Sequence, residues 1–210
     1  MSLLAPDPVH LYLIRHAEVE ESFQHVFGGR IDMDLSPRGH TQAEALAAWL
    51  EFAAFDAIYT SPMKRARLTL EPLLRGRPLQ PVIVESLREI DFGDWTGLSW
   101  QELHDRHQIS AFEWLDFIES GAIPNAERGE TFRGRLEPHL AEVLNLHAGK
   151  TVALVCHGGV IRMLLSILLK LPLRQMSSFD IAYASVTRVR CMAAKSEVEL
   201  LNFVPWRDLR

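Results

Sequence analysis

Six mostly apolar residues, Val9 to Ile14, run directly into an arginine and a histidine in the stretch VHLYLIRHAE. Far along the chain VALVCHGGVIR repeats the arrangement, with an apolar run from Thr151 to Cys156 that ends in His157. Apolar runs of this length, without polar alternation, suit strands buried on both faces, as in parallel sheets. Polar groups at the end of such a strand lie at the carboxyl edge of the sheet, where open α/β folds bind their ligands. Two parallel strands in one sheet would therefore bring His16 and His157 to one place. No other feature of the sequence constrains the fold as tightly.

Strand and helix signals alternate between and beyond these two runs. Ser36-Pro37 reads as an N-cap with proline in the first turn, and Ala43, Leu46, Ala47, Leu50 and Ala54 follow at helical spacing. Ala57 to Thr60 reads as a short strand. Ser61-Pro62 then repeats the cap and opens a helix through about Leu74 that carries Arg65. Val82 to Val84 is a third strand, leading into the polar loop LREIDFGDWTG. Ser99 to Glu102 and Ser110 to Glu113 fit capping boxes, which predicts two short Trp- and Phe-rich helices. Phe132, Leu136, Leu140, Val143 and Leu144 mark an amphipathic helix, and another runs from the second histidine to about Leu171. Val186–Cys191 and Val198–Phe203 form a predicted antiparallel hairpin. The fold class expected is α/β: a three-layer α/β/α sandwich with a mostly parallel central sheet and a small helical lobe over its carboxyl edge. Residues 1–210 are read as one domain, with 99–130 as a helical insertion or lid.

Composition narrows the function. A net charge of −5 provides no general field for nucleic acid or anionic lipid, so an anionic ligand must be held by a local cluster of cations. The longest apolar stretches fall short of a membrane span, and MSLLAPDPVH lacks a basic segment followed by an apolar signal core. Cys156 and Cys191 are too few for a disulfide framework, which suits a reducing compartment. The expectation is a cytoplasmic protein with neither a nucleic-acid nor a membrane partner. Its oligomeric state is left open, a homodimer included.

The cluster is already visible in outline. Gly158 and Gly159 open the helix after the second histidine, where free N–H groups and the dipole favour an anion. Arg65, early in a helix that follows a strand, reaches the same edge as Arg15. Phosphoryl transfer is mostly positioning and electrostatic stabilisation, and guanidinium forks match phosphoryl oxygens. A neutral imidazole can attack phosphorus with one ring nitrogen while the other donates to a carbonyl. The leaving alcohol then needs an acid, for which Glu89, Asp91 and Asp94 are candidates that spacing alone does not separate. A carboxyl beside a bound phosphate has its ionised form disfavoured by the like charge.

The motifs LIRHAE, DMDLSPRGHTQAEAL, SPMKRARLTL, LREIDFGDWTG and VCHGGVIR, taken in order, resemble those of the histidine phosphatase superfamily, the phosphoglycerate mutase-like family, and cover most of the chain. The resemblance implies that His16 is a nucleophile that becomes phosphorylated and that Arg15, Arg65 and His157 bind the phosphoryl group. It also implies Glu89 as the proton donor and the Gly158 N–H as part of the pocket, with no metal or organic cofactor. LREIDFGDWTG looks more like the phosphatase branch, including the α-ribazole phosphatases, so the substrate implied is a small phosphorylated metabolite. Mutase-type transfer and a phosphoprotein-directed phosphatase or binding module are the alternatives. Ala17 stands where the family most often has glycine. Ser22 stands where a phosphate-contacting asparagine is common, a contact that Gln24 could take over. His25 and Arg30, in the loop after the nucleophile strand, are candidate substrate contacts. Trp100, Phe112, Trp114 and Phe117 could line the pocket, although helical spacing favours ordinary packing for most of them.

Overall fold

The computed structural model describes residues 7–109 and 113–209. Its centre is a six-stranded sheet built from β1 (Val9–Arg15), β2 (Ala57–Thr60), β3 (Val82–Ile83), β4 (Thr151–Cys156), β5 (Val186–Cys191) and β6 (Ser196–Phe203), in the order β3-β2-β4-β1-β5-β6. β3, β2, β4 and β1 run parallel, whereas β5 lies antiparallel to β1 and pairs with β6 as the expected hairpin. Arg15 stands opposite Cys156 in the β1–β4 register, so the two following histidines leave the sheet side by side.

Side-chain alternation divides the core into two layers. Leu11, Leu13, Val152 and Leu154 face one side of the sheet, where α5 (Gly129–Leu146) contributes Phe132, Leu136 and Leu140 and α6 (Gly158–Leu169) contributes Ile161, Leu164 and Leu165. Ile14, Ala153 and Val155 face the other side. There α1 (Pro37–Trp49) brings Ala43 and Leu46, and α2 (Lys64–Leu74) brings Ala66, Leu70 and Leu73. β4 is buried from Val152 to Cys156 and β1 at Val9, Leu11, Leu13 and Ile14, which accounts for their mostly apolar runs. A short α7 (Pro205–Asp208) rests against α1. Residues 99–130 hold α3 (Trp100–His107) and α4 (Trp114–Ser120), whose buried Leu103, Leu115 and Ile118 join the α5–α6 layer.

The sequence signals hold unevenly. Ser36 caps α1 by accepting from the Gly39 N–H at 2.9 Å, and its own hydroxyl donates to Glu18 at 2.7 Å. The Ser99–Glu102 capping box forms with both of its bonds, whereas the Ser110–Glu113 box falls in part outside the described residues. Ser61-Pro62 does not open a helix. α2 begins at Lys64, and its first N–H is met by Asp32 at 2.8 Å from another segment, while the Ser61 hydroxyl takes the N–H of Met63, before the helix, at 3.3 Å and meets His157 at 2.8 Å. The third strand is shorter than expected, and α6 stops at Leu169 on the left-handed Lys170 (φ 55°). Among the described residues no helix is long and apolar enough to cross a membrane. Replacing Ser36 with alanine removes the α1 cap and leaves Glu18 one donor short. Urea denaturation should show a loss of about 1 kcal/mol with an unchanged m value.

Candidate active site

The β1–β4 register sets the imidazoles of His16 and His157 5.2 Å apart, centre to centre, at 58° to one another. His16 Nδ1 lies 2.8 Å from the Ala17 carbonyl, which can only accept, so Nδ1 carries the proton and Nε2 keeps its lone pair. Ala17 is itself fixed, its N–H donating to Thr69 of α2 at 2.8 Å and its methyl fully buried in the α1–α2 layer. Burial, followed by the charges of Arg65 and Arg15, holds the His16 pKa well below 6.5. A neutral ring with an available nitrogen can act as a nucleophile at neutral pH.

His16 lines a cavity of about 610 Å³, together with Arg15, Arg65, Glu89, Gly158 and Gly159. Arg65 is 2% exposed and gives its donors to His157 Nδ1 (3.2 Å), Ile31 O (2.7 Å) and Gly29 O (2.9 Å). Two of its five N–H groups remain for the cavity. Burial lowers its pKa to about 10, so it stays cationic. Arg15 stacks on the Tyr183 ring at 4.1 Å and donates to the Ile181 carbonyl, and its Nε has no partner among the described residues. Gly158 begins α6, where the first N–H groups have no partner inside the helix.

His157 lies behind this wall rather than in it. It has no exposed surface, and its two ring nitrogens meet Arg65 and the Ser61 hydroxyl (2.8 Å), so it reaches the cavity through the guanidinium it holds.

The three candidate acids separate cleanly. Glu89 Oε2 accepts from the Gly159 N–H at 3.1 Å and Oε1 from the Ile90 N–H at 3.0 Å, which fixes its carboxyl against the start of α6. Asp91 instead takes the Gly93 N–H at 3.0 Å and pairs with Arg30, while Asp94 meets Asn125 at 2.8 Å. The Glu89 loop is wound around Arg135 of α5, which donates to the carbonyls of Ser86, Arg88 and Glu89 and to the buried Glu127 carboxylate.

Not every expected contact is gathered in. Ser22 is exposed on the turn Glu21–Phe23 and does not line the cavity, and Gln24 donates to Val19 O instead. Arg30 turns away to Asp91 and Glu127. His25 does line the cavity, from a left-handed backbone (φ 59°). Trp100 and Trp114 form part of the wall with Phe23, Phe27, Phe92 and Phe179. Phe117 packs on Trp95 at 5.2 Å, and Phe112 lies outside the described residues. Tyr183, Ser61, Arg135 and Arg162 were not singled out from the sequence. Of these only Arg162 carried a usable signal, since it stands one helical turn after Gly158. The Cys156 thiol is buried in the core and its pKa is pushed up by burial, as expected of an inert thiol. Among the described residues no three His, Cys, Asp or Glu side chains gather as metal ligands.

Two predictions follow from burial and close approach. His16 and His157, whose pKa is held down by burial and Arg65, bind fewer protons folded than unfolded below pH 6.5. Their contribution to stability is complete above that pH and is lost as the pH falls through it, at about 1.4 kcal/mol per ring and per unit. Urea titrations between neutral pH and pH 5 should show this slope, and His16→Asn should remove its share. A methyl at Gly159 would lie 2.5 Å from Glu89 Oε1. Gly159→Ala should therefore displace the carboxyl, giving a structure with Glu89 swung away from α6 and at least a tenfold loss of turnover, an order-of-magnitude figure for a misplaced reacting group.

Known proteins match the chain over nearly its whole length. Phosphoserine phosphatase 1 of Hydrogenobacter thermophilus is 30% identical over 194 residues, 92% of each chain. An adenosylcobalamin/alpha-ribazole phosphatase of Salmonella typhimurium is 26% identical over 194 residues, 92% of this chain and 96% of its own. A solved mycobacterial glucosyl-3-phosphoglycerate phosphatase superposes with a TM-score of 0.81 at 26% identity, covering 92% of this chain and 98% of that one. The model of the histidine phosphatase superfamily (branch 1) matches residues 11–204, and with a match of that extent the chain belongs to that superfamily.

Proposed function

We propose that the chain is a phosphatase that hydrolyses a small phosphomonoester through a phosphohistidine on His16, without a metal. The observation that carries this reading is that a neutral His16, its proton fixed on Nδ1, and a carboxyl pinned at the start of α6 line one cavity together with the guanidinium groups of Arg15 and Arg65. The phosphoryl oxygens sit against Arg15, Arg65 and the N-terminus of α6, where aligned dipoles and N–H groups favour an anion.

His16 Nε2 attacks phosphorus, and the bond from phosphorus to the ester oxygen breaks. Glu89 gives its proton to that oxygen, and the alcohol leaves. Water then attacks the phosphohistidine with Glu89 taking up its proton, which releases inorganic phosphate and returns His16 to its neutral form. Charge on the transferring group grows on its peripheral oxygens, and guanidinium groups fixed beforehand stabilise it with no reorganisation. His157 serves as the rigid partner that keeps Arg65 in place. Residues 99–130 act as the cover of one domain, laying Trp100 and Trp114 over the leaving group. The relatives named above support a small phosphorylated metabolite as substrate, and the cavity volume suits one.

Hydrolysis of p-nitrophenyl phosphate should survive EDTA and fall by at least about a thousandfold in His16→Ala, the scale for loss of a covalent nucleophile. Glu89→Gln should cost at least tenfold more on an alkyl phosphate, which needs its leaving oxygen protonated, than on the activated aryl ester, a rough figure for general acid catalysis. Equal losses on the two esters would remove the acid role from Glu89. Weak hydrolysis that depends on a bisphosphorylated primer would mark the enzyme as a mutase instead.

A further inference from the structure

The two arginines beside His16 are held by different means. Arg65 spends its donors on three buried acceptors, whereas the Arg15 side chain makes one hydrogen bond among the described residues, from Nη1 to the Ile181 carbonyl. Its buried Nε has no partner there. A ring takes the place of the missing bonds. The Tyr183 ring centre lies 4.1 Å from the Arg15 guanidinium carbon, and the same ring lies 5.6 Å from the His16 imidazole at 53°. A methyl at Gly158 would meet Arg15 Nε at 3.6 Å, so the guanidinium resting on Tyr183 reaches the start of α6.

Tyr183 is itself held on both sides along the chain. After it, the buried Ala184 takes a left-handed backbone (φ 52°), costly for a residue with a Cβ, and its N–H donates to the His16 carbonyl at 3.1 Å. Before it, the Ala182 N–H donates to the Asn202 side chain at 2.7 Å, and Asn202 donates in turn to Asp180 at 3.2 Å. Asn202 lies where the β5–β6 register is irregular and is left-handed as well (φ 51°). Arg162 of α6 ties the same segment by donating to the Phe179 carbonyl at 3.1 Å. Backbone strain persists where its surroundings over-determine it, and here it fixes one aromatic ring against the phosphoryl site.

We infer that Tyr183 is a positioning residue: its ring holds the Arg15 guanidinium in place for the transferring phosphoryl group before charge develops there. This rests on the phosphatase reading. An aromatic face attracts a guanidinium without using a donor, so all but one of the Arg15 N–H groups stay available to oxygens. A carboxylate partner would hold Arg15 as firmly but would occupy those donors and repel the ligand. Without the ring, the long side chain must be ordered anew at each turnover. Tetrahedral phosphate tolerates a mobile cation better than the five-coordinate transition state does, because the latter depends on donors that are already oriented.

The test compares orthovanadate, which adopts the five-coordinate geometry, with inorganic phosphate as inhibitors of p-nitrophenyl phosphate hydrolysis. Inhibition constants do not depend on the fraction of protein that is folded. Tyr183→Leu should weaken vanadate about tenfold and phosphate less than about threefold, the larger figure being the scale of ordering one long side chain. Its kcat should fall about as much as vanadate weakens, with KM little changed. Tyr183→Phe keeps the ring and should stay within about threefold of wild type in all four quantities. Equal losses in the two variants would assign the effect to the hydroxyl and overturn the inference. So would vanadate and phosphate weakened alike in Tyr183→Leu, or neither weakened. In each of these cases His16-dependent hydrolysis by the wild-type protein leaves the phosphatase reading standing, and its absence overturns both.

Discussion

The site depends on the burial of Arg65. A guanidinium at 2% exposure is stable only when its donors are met, and this one meets them in three separate stretches of chain. Nε binds the histidine at the end of β4, and the two Nη atoms hold the carbonyls of Gly29 and Ile31 in the loop that follows β1. Its own carbonyl accepts from Thr69, whose oxygen receives the Ala17 N–H, and the Ala17 carbonyl in turn fixes the His16 ring. One residue therefore touches both imidazoles: its guanidinium sets the tautomer of His157 directly, and its backbone carbonyl fixes Thr69 and, through Ala17, the ring of His16. Removing it would leave several buried acceptors without donors at once, and such losses are not additive.

The acid side of the cavity has a matching device on the opposite face of the sheet. Arg135 gathers the start of the Glu89 loop by three carbonyls, those of Ser86, Arg88 and Glu89, and is neutralised by Glu127, whose side chain is 6% exposed. Glu127 is tethered as well, because its N–H donates to Asp91 O at 2.9 Å. The loop that brings Glu89 into the same cavity as His16 thus owes its place to α5, not to the strand that leads into it. Two arginines, one on each side of the sheet, wind the two reacting loops toward a common edge.

This division explains what the sequence could and could not disclose. The paired strands and their histidines were legible because a buried parallel strand writes a continuous apolar run, a purely local signal. The caps at Ser36 and Ser99 were legible for the same reason. Ser61 was misread because its hydroxyl serves both the N–H of Met63, just before the helix, and a distant imidazole that only the folded chain brings to it. The choice among Glu89, Asp91 and Asp94 was open for a similar reason, since it turns on Arg135 and Gly159, both remote in sequence. Family resemblance pointed to Glu89, and the fold sets it apart from Asp91 and Asp94 by its contact with the start of α6. Tyr183, which supports Arg15 from the tail, carried no local pattern at all.

Three guanidinium groups and two imidazoles at one sheet edge are poor for stability. Each imidazole is kept neutral by burial and by the neighbouring cations, and the arginines Arg65 and Arg162 are pushed down to about 10 by burial. The large two-sided apolar core can carry this load, because Leu11, Leu13 and Ile14 of β1 and Val152 to Cys156 of β4 are all buried. A ligand that brings negative charge relieves it, and anything that binds only the folded state stabilises that state in proportion to its occupancy. The repulsion held in the empty site is thus the same quantity that favours an anion in the full one.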